Sequence, residues 1–357
     1  MNNLFNLFYN YIISMVNWNT LFLLFGLMAV VAGFNSLGYI DKLSAFLIGK
    51  TGSVRGLAFC LVFLSYFLSM LVTNDVSLII LVPFTIDLFM QTGNKDKIIL
   101  IVVLETVAAN IGGMLTPIGN PQNVYLYQRY EMNPGEFFMT LLPFGIMVFV
   151  LLCVTLILGI KNTKLSEGSS VLEAWQEDEE ISKAKKTLQT IVFSVLFIIC
   201  LLSVFRLIPN VVSFVLSVIA ILACNIRLIK RINFGLLWKF VLLFILVGNV
   251  ANIPAIESFL SNLVSGNEFL CGVLISQVVS NVPAAILLSD FTANGLMLLL
   301  GVNIGGLGTL IASMASMISL DYYGKSEEHT TGKYIGIFTL INVLYLLIMV
   351  GLYFIIY

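Results

Sequence analysis

Apolar runs of roughly 17–25 residues recur along this chain from end to end, and each is long enough to cross a bilayer. Hydrophobic residues make up 59% of the sequence and charged residues only 10%, against about 25% charged residues in soluble domains. A soluble fold of 357 residues cannot bury that much apolar surface. The runs therefore predict an all-α, polytopic membrane protein with one membrane domain surrounded by the lipid bilayer.

Most of the runs are long enough to be complete spans that cross the bilayer once each. We predict eight such spans, at 19–39, 98–128, 137–160, 187–207, 211–227, 236–256, 295–320 and 333–356. Residues 1–16 are also apolar but too few for a complete span. This N-terminal segment is interpreted as an interfacial or partial helix.

Two further segments are interrupted by polar residues and are too short to be pairs of complete spans. In the first, Thr73-Asn74-Asp75 separates two arms that reach about 24 Å each at the helical rise. In the second, Ser280-Asn281 separates arms that reach only about 15 Å each. The hydrocarbon core is about 30 Å thick. We therefore predict two re-entrant hairpins, with arms at 57–72 and 76–91 and at 269–279 and 282–291.

Basic residues are distributed unevenly between the predicted loops. Of the 18 lysines and arginines, all except Arg129 and Arg206 fall on one predicted side, whereas the feet of the second hairpin carry none. By the positive-inside rule, the first hairpin opens to the cytoplasm and the second to the exterior. The residues assigned to the cytoplasmic side are Lys42, Lys50, Arg55, Lys95, Lys97, Lys161, Lys164, Lys183, Lys185, Lys186, Arg227, Lys230, Arg231, Lys239, Lys325 and Lys333.

One motif occurs twice, as Asn110-Ile111-Gly112-Gly113 followed by Thr116 and as Asn303-Ile304-Gly305-Gly306 followed by Thr309. Each copy follows a hairpin whose polar tip contains an asparagine, and the two hairpins open to opposite sides. This order is typical of inverted-topology repeats in secondary transporters.

The motif pattern divides the chain into four predicted segments. Two are repeats, each containing a hairpin and a broken span, and the acidic run Glu173–Glu180 between them is interpreted as part of a solvated linker. The segments are the N-terminal stretch 1–16, repeat 1 at 17–160 with hairpin 56–91 and broken span 98–128, the cytoplasmic loop and linking helices at 161–232, and repeat 2 at 233–357 with hairpin 268–293 and broken span 295–320.

These motifs, together with Thr116 through Asn123 and Ser280-Asn281-Val282-Pro283, resemble the ion transporter superfamily. That superfamily includes arsenite permeases, divalent-anion/sodium symporters and citrate carriers, and this chain looks most similar to short, uncharacterised bacterial anion permeases. The resemblance covers roughly residues 17–357 and implies a multi-pass protein of the bacterial plasma membrane, the cell inner membrane. It also implies that the tip residues Asn74 and Asn281 lie at the cation and substrate sites, and that the protein forms a homodimer.

The residues that could carry transport lie at the hairpin tips and in the broken spans. Glycine and proline interrupt the apolar helices there, which indicates either simple kinks or unwound stretches whose half-helix ends face a substrate. Helix N-termini can hold an anion without a basic side chain, although the polar side chains could equally serve as helix-packing contacts. The candidates are Thr73, Asn74, Asp75, Asn110, Gly112, Thr116, Gly119, Asn120, Asn123, Ser280, Asn281, Asn303, Gly305, Thr309 and Ser313.

Two carboxylates are candidates for ion coupling. Asp75 is the only acid at a hairpin tip, and Glu105 lies in the first broken span, before Asn110. Charged side chains are expensive inside a membrane and normally functional there. We predict proton coupling through Asp75 or Glu105, with sodium bound at Asn74 and Asn281 as the other possible coupling ion. No cofactor and no other metal are expected.

The sequence therefore favours a secondary active transporter that moves a small anion or oxyanion, either inorganic or like a di- or tricarboxylate. Transport would proceed by alternating access, coupled to protons or sodium. A cation/proton antiporter that exchanges ions at Asp75 and a passive channel are the alternatives. An enzyme is not expected, because the chain has a single histidine, His329, and no phosphate-binding or nucleophile motif. The formal net charge of −1 gives no reason to expect a nucleic-acid partner.

Overall fold

The structure, a computed structural model, describes residues 15–38, 51–164, 183–251, 253–326 and 330–357. The predicted segment 1–16 falls almost wholly outside the described residues, as do Lys42, Lys50, the acidic run Glu173–Glu180 and His329. Every regular element of the described part is helical.

The described residues form fifteen α-helices, most of them apolar. They are α1 Trp18–Ser36, α2 Val54–Leu71, α3 Asn74–Gln91, α4 Ile98–Met114, α5 Pro121–Arg129, α6 Pro134–Gly159, α7 Lys183–Val204, α8 Asn210–Cys224, α9 Phe234–Ala251, α10 Pro254–Val264, α11 Glu268–Val279, α12 Asn281–Ser289, α13 Gly295–Ile304, α14 Met314–Gly324 and α15 Thr331–Ile356. Short 3-10 turns cover Lys95–Lys97, Ile226–Arg231 and Leu310–Ala312.

Seven of the described helices are long and apolar enough to cross a membrane, or eight if α10 and α11, bent by 119°, count as one span. Large apolar side chains stand exposed along α6, α7, α8, α9 and α15. Such outward apolar faces suit lipid and not water. The protein is a multi-pass α-helical membrane protein, as the apolar runs predict.

The first interrupted segment differs in its boundaries from the prediction. Its helices, α2 and α3, have 18 residues each, so each reaches about 27 Å rather than 24 Å. The Ser53 side chain caps α2 three residues early by accepting from Gly56 N. Asn74 and Asp75, predicted to lie between the arms, form the first turn of α3 after Thr73 in extended conformation. We call α2 and α3 the first pair.

The second interrupted segment consists of α11 and α12, which we call the second pair. Only Ser280 separates the two helices, and α12 has just nine residues. The predicted tip residue Asn281 is the first residue of α12 rather than part of the turn. Ser280 can make this abrupt reversal because its backbone has φ 78° and ψ 153°, outside the region that helical residues occupy.

Three predicted spans are interrupted. Residues 98–128 divide into α4 and α5 around residues 115–120, the first break. Residues 295–320 divide into α13 and α14, which runs on to Gly324, around residues 305–313, the second break. The span predicted at 236–256 ends earlier, with α9 at Ala251, because Pro254 begins α10 as its first residue.

Helix α4 lies at the centre of the protein. In the apolar window that contains it, 89% of the residues are buried, against 22% in α15. It packs along α2, much as α13 packs along α11 in the second half. Both contacts are close because they lack side-chain bulk. A Cβ atom on Gly112 would collide with the Tyr66 carbonyl oxygen, and one on Gly301 with the Phe269 carbonyl oxygen.

The far end of each broken helix meets the foot of the pair in the other half. At the end of α5, Arg129 Nη2 lies 2.6 Å from Asp290 Oδ1, and Tyr130 OH donates to the Thr292 carbonyl at 2.9 Å. At the end of α14, Lys325 and the foot of α3, including Asp87, line one cavity. The two halves are therefore joined crosswise at both ends.

Candidate functional site

The tip of the first pair is fastened to the first break. Asn74 N donates to the Gly119 carbonyl at 2.9 Å, and its Nδ2 donates to Asn110 Oδ1 at 2.9 Å. Its own Oδ1 accepts from the backbone N of Asp75 at 2.8 Å. Asn74, only 3% exposed, therefore uses both ends of its amide to hold the start of α3 against α4.

Asn110 connects this tip to the second half of the chain. Its Oδ1 also accepts from Ser313 Oγ at 3.0 Å, across 203 positions of sequence. Asn120 completes the link, because its Nδ2 donates to the Asn110 carbonyl and to Asn303 Oδ1, each at 3.0 Å. We call Asn74, Asn110, Asn120 and Asn303 the asparagine cluster.

Asn303 is held more fully than any other member of the asparagine cluster. Its Oδ1 accepts a second bond, from Gln122 Nε2 at 2.9 Å. Its Nδ2 donates to Asn123 Oδ1 at 2.7 Å and to the Leu299 carbonyl at 2.9 Å. Gln122 lies in the stretch from Thr116 to Asn123 that carries the family resemblance, but it is not among the predicted site residues. Its position in the first turn of α5, two residues after Asn120, is the signal that could have identified it.

Side-chain amides satisfy the carbonyls that the two breaks release. In the first break, Asn123 Nδ2 donates to the carbonyls of Gly113, Met114 and Thr116 at 3.2, 3.0 and 2.9 Å. The Thr116 hydroxyl donates to the Met70 carbonyl at 2.7 Å. Broken helices inside a membrane need such partners because no lipid group can replace them.

In the second break the same task falls to Gln277, which sequence reasoning missed. Its Nε2 donates to the carbonyls of Gly305 and Leu307 at 2.8 and 3.0 Å. Its Oε1 accepts from Thr309 N at 2.9 Å. Gly308, at φ 104°, leaves room for this side chain, since a Cβ atom there would collide with Gln277 Oε1.

The tip of the second pair is held more loosely. Asn281 Oδ1 accepts from Val282 N at 2.9 Å, and Ser280 Oγ donates to the Ala312 carbonyl at 3.4 Å. A Cβ atom on Gly306 would stand 2.9 Å from Asn281 Nδ2, so Asn281 lies directly against the second break. No described residue accepts a hydrogen bond from Asn281 Nδ2.

Four helices begin around this buried polar centre. They are α3, α5, α12 and α14, whose first residues are Asn74, Pro121, Asn281 and Met314. The starts of α3, α5 and α14 are joined by hydrogen bonds to Asn110. The start of α12 is linked to the second break, where Ser280 Oγ donates to the Ala312 carbonyl. Helix N-termini carry partial positive charge and free N–H groups. The centre is therefore suited electrostatically to negative charge.

The two candidate carboxylates occupy different surroundings. Asp75 is 6% exposed at the start of α3, and its carboxylate accepts no hydrogen bond from the described residues. Glu105 is fully buried, away from the asparagine cluster. Its Oε1 accepts from Thr85 Oγ1 at 2.5 Å, whereas Oε2 has no hydrogen-bond partner among the described residues.

Two predicted glycines serve helix packing. Gly112 faces the Tyr66 carbonyl on α2, and a Cβ atom on Gly305 would stand 2.8 Å from Ser276 Cβ on α11. Gly119 lies closer to the asparagine cluster, because it passes between the Gly113 and Ser69 carbonyls. The remaining candidates, Thr73, Thr116 and Thr309, are partly or fully exposed around the tips.

Comparison with known proteins identifies the class of protein to which this arrangement belongs. A family model described as "Citrate transporter" matches residues 4–295. The chain belongs to the citrate transporter family. The match includes the first pair, the first break and the tip of the second pair.

Proteins that resemble this chain over most of its length include one named as a transporter and one named as an inner membrane protein. An uncharacterised transporter of Methanocaldococcus jannaschii is 32% identical over 345 residues, covering 95% of this chain and 90% of that protein. The inner membrane protein YbiR of Escherichia coli is 31% identical over 312 residues, covering 85% of this chain and 80% of that protein. The P protein of Homo sapiens is 29% identical over 176 residues, covering 47% of this chain and 21% of that protein. This protein is a membrane transporter, and the expected superfamily resemblance is confirmed.

In this member of the citrate transporter family, Lys239 does not lie in the turn where the sequence predicts it. Lys239 was assigned to the cytoplasmic turn before a span. It lies within α9, which begins at Phe234, and its Nζ approaches Met314 Sδ to 3.9 Å. Met314 is the first residue of α14 and follows Ser313. A lysine ammonium therefore stands next to the polar centre, which the sequence indicated to lack a basic side chain.

Proposed function

We propose that this protein is a secondary active transporter that carries a small anion or oxyanion, coupled to protons or sodium, by alternating access. One observation supports this most directly: four helix N-termini meet at a buried asparagine cluster that joins both halves of the chain. Fixed N–H groups and helix dipoles recognise negative charge without the desolvation cost of burying several basic side chains. Amide groups add donors of defined direction for carboxylate or oxyanion oxygens.

The proposed substrate class includes di- and tricarboxylates as well as inorganic oxyanions. Citrate is the first compound to test, because the matching family model is described as a citrate transporter. The hydroxyl of Thr73, a partly exposed residue at the first tip, would donate to one of its carboxylate oxygens. The restriction to small anions follows from the side chains that already fill the asparagine cluster.

Inverted-topology repeats, at 17–160 and 233–357, provide the proposed architecture for alternating access. The crosswise contacts support it, since α5 ends at the foot of the second pair and α14 at the foot of the first. Measured from the start of α4, the first break lies about 25 Å along the helix axis, and the tip of the first pair contacts the chain there. Helix α5 then continues for about 13 Å beyond the break. Such a tip would end inside the bilayer, so we assign both pairs as re-entrant hairpins that enter from opposite sides.

Ion coupling is assigned to the first tip. A buried carboxylate without hydrogen bonds is stabilised when a proton or a cation replaces its lost water. Asp75 has these surroundings and lies beside the tip, so it is the proposed coupling group, with Glu105 as the second candidate. In the sodium version of this scheme, the side-chain oxygens of Asn74 and Asn281 and neighbouring carbonyls would bind the ion.

Cation/proton antiport is the second candidate function, and Asp75 itself favours it. An unpaired carboxylate at the centre of a transporter can exchange a proton for a metal cation without any anion. The two functions differ in their substrates, because only the anion carrier needs the four helix N-termini. Two measurements therefore distinguish them: the anion carrier takes up labelled anions, and the antiporter exchanges cations for protons.

The decisive experiment is uptake into proteoliposomes containing the purified protein. Citrate, succinate, phosphate, sulfate and arsenite are tested under imposed proton or sodium gradients. We expect at least one anion to accumulate, and Asn303→Ala to abolish that uptake. Asn342→Ala is the matched control. Asn342 is a buried asparagine on α15 whose one hydrogen bond to a described residue goes to the Phe338 carbonyl of its own helix. Failure of every anion, together with sodium–proton exchange by the wild type, would favour the antiporter.

The inverted topology has its own test. In a variant lacking the five native cysteines, single cysteines at the exposed positions Lys161 and Ser265 are labelled with an impermeant maleimide. We expect labelling of Lys161→Cys only from the cytoplasmic side and of Ser265→Cys only from outside. Labelling of both from one side would contradict the inverted repeat.

Location and assembly are also proposed. The Escherichia coli relative is named an inner membrane protein, which supports a bacterial cytoplasmic membrane for this chain. A homodimer formed through the peripheral apolar helices is tested by chemical cross-linking in native membranes.

A further inference from the structure

Lys239 places a positive charge beside a site otherwise built from amide groups, helix ends and the carboxylate of Asp75. Its Nζ lies 3.9 Å from Met314 Sδ at the first residue of α14. The preceding residue, Ser313, caps α14 and donates to Asn110 of the asparagine cluster. Lys239 thus contacts the residue that directly follows this capping serine.

The charge of Lys239 has no close counter-ion in the described part of the chain. No described carboxylate lies within ion-pair distance of its Nζ, and the contacted thioether is only a weak acceptor. The carboxylate on which Lys239 acts electrostatically is Asp75. Asp75 is itself 6% exposed and accepts no hydrogen bond from the described residues. A buried acid and an exposed ammonium therefore face the same polar centre without forming a direct bond.

Lys239 also stands outside the pairs and broken helices. Its helix α9 packs against α1, α10 and α12, whereas its side chain reaches towards α14. The position thus joins a surrounding helix to the start of a helix at the polar centre. An anion held there would interact with groups from both.

We infer that Lys239 is an anion-binding residue of this transporter, and that Asp75 competes with the bound anion for its charge. This inference rests on the proposed function and adds to it the group that neutralises the substrate. In the empty site, Asp75 offsets the ammonium from a distance. A bound carboxylate or oxyanion would contact the ammonium directly, with oxygens also facing the start of α14. The hydrogen bonds formed in this way are charge-assisted and therefore stronger than hydrogen bonds between neutral groups.

The test compares four single variants in the proteoliposome uptake assay, using citrate, succinate and phosphate as probes. We expect Lys239→Gln to raise the KM of the transported anion by about tenfold or more, because a charged contact is lost. Lys239→Arg, which keeps the charge, should stay within about threefold. Lys230→Gln is the control, since Lys230 is an exposed lysine in the turn before α9. Asp75→Asn should have the opposite effect to Lys239→Gln. It should increase equilibrium binding of the same anion to purified protein, because Asp75 no longer competes for the charge of Lys239.

Chemical restoration of the charge separates a binding role from a structural one. In a variant without native cysteines, Lys239→Cys should lose uptake and regain it after modification with 2-aminoethyl methanethiosulfonate. Modification with 2-sulfonatoethyl methanethiosulfonate should leave uptake lost. If the wild type transports an anion and Lys239→Gln keeps its KM, the inference is wrong while the proposed function stands. If the wild type exchanges only cations, the proposed function fails and the inference fails with it.

Discussion

The two tips follow one plan but carry different chemistry. At the first, Asn74 is bonded to Asn110 and to the first break, and Asp75 follows it. At the second, Asn281 caps only its own helix, and no carboxylate stands beside it. The first tip is therefore fixed and ionisable, whereas the second is looser and neutral. The comparison indicates that a repeated motif can supply the same frame twice while only one half carries an ionisable side chain at its tip.

The two breaks differ in how their carbonyls are satisfied. Asn123, on the helix directly after the first break, serves that break, whereas Gln277, on α11 of the second pair, serves the second break. The shared requirement is a side-chain amide beside carbonyls released inside a membrane. The amide comes from a different place in the chain in each half. The sequence repeat therefore does not include the residues that support the motif.

The largest effect is expected where a glycine lets two helices within the same half of the chain pack closely. Gly112→Ala should destabilise the protein by more than the roughly 1–3 kcal/mol typical of overpacking, because the new Cβ atom meets backbone at Tyr66. Gly305→Ala should cost less, since its new Cβ atom would lie 2.8 Å from Ser276 Cβ and 2.9 Å from the Gly301 carbonyl oxygen, whereas the Cβ atom at Gly112 would come still closer to the Tyr66 carbonyl oxygen. Folded yield and melting temperature in detergent measure this difference.

Gly336→Ala is the control for those variants, because a Cβ atom there meets nothing within 4 Å. It should leave folded yield unchanged. Equal yields for the Gly112 and Gly336 variants would contradict the close contact between α2 and α4.

Much of the frame could be predicted from sequence because its signals are local. The duplicated motif identified Asn110 and Asn303, and the structure brings both into one hydrogen-bonded cluster. Glycine and proline located the two breaks. Short apolar arms around polar residues also revealed the interrupted segments, although their helices start elsewhere. The Ser53 side chain caps α2 three residues early, and α3 begins directly after the extended Thr73.

The residues that sequence reasoning missed act over long separations. Gln277 reaches carbonyls 28 and 30 positions away, and Lys239 contacts a residue 75 positions away. Neither lies in a motif, and Lys239 follows three basic residues of a turn, so it was grouped with them. Only the contact of its side chain with the first residue of α14 distinguishes it from a cytoplasmic lysine.

A second, smaller effect concerns the tips themselves. Asn74→Ala and Asn281→Ala should each abolish uptake while the protein still inserts, because both amides are assigned to the site. Their stabilities should differ. Asn74→Ala should lose about 1–3 kcal/mol by breaking a buried hydrogen bond, whereas Asn281→Ala should melt near the wild type. Wild-type uptake by either variant, at full expression, would remove that tip from the site.

A more selective effect is expected at the carboxylates. Asp75→Asn resembles the protonated acid in shape and charge, so it should abolish accumulation driven by a pH gradient while exchange of the anion continues. Glu105→Gln is the matched variant and should retain gradient-driven uptake, because Glu105 is bonded to Thr85 away from the tips. Both are measured in proteoliposomes at constant sodium. The reverse result would assign coupling to Glu105, and a wild type that responds only to sodium would exclude proton coupling.

The smallest effect is expected at the foot of the second pair. The Arg129–Asp290 ion pair is partly exposed, with 37% and 32% of the two side chains accessible. Partial burial raises the pKa of Asp290, and the nearby Arg129 guanidinium opposes that rise. Pairs this exposed contribute about 0–1 kcal/mol, and salt weakens them. Arg129→Gln should therefore change the melting temperature little and keep uptake within about twofold.

The same variant tests which helices move together. If α5 and α12 belong to one unit, their ion pair persists throughout the transport cycle, and its loss leaves the rate of uptake unchanged. If they belong to units that separate, the pair must break in each cycle, and Arg129→Gln would accelerate uptake in a manner that high salt reproduces in the wild type. Initial rates of both proteins at low and high ionic strength decide between these arrangements. We expect no acceleration, because the hydrogen bonds of Tyr130 to Ser289 and Thr292 bind the same two segments independently.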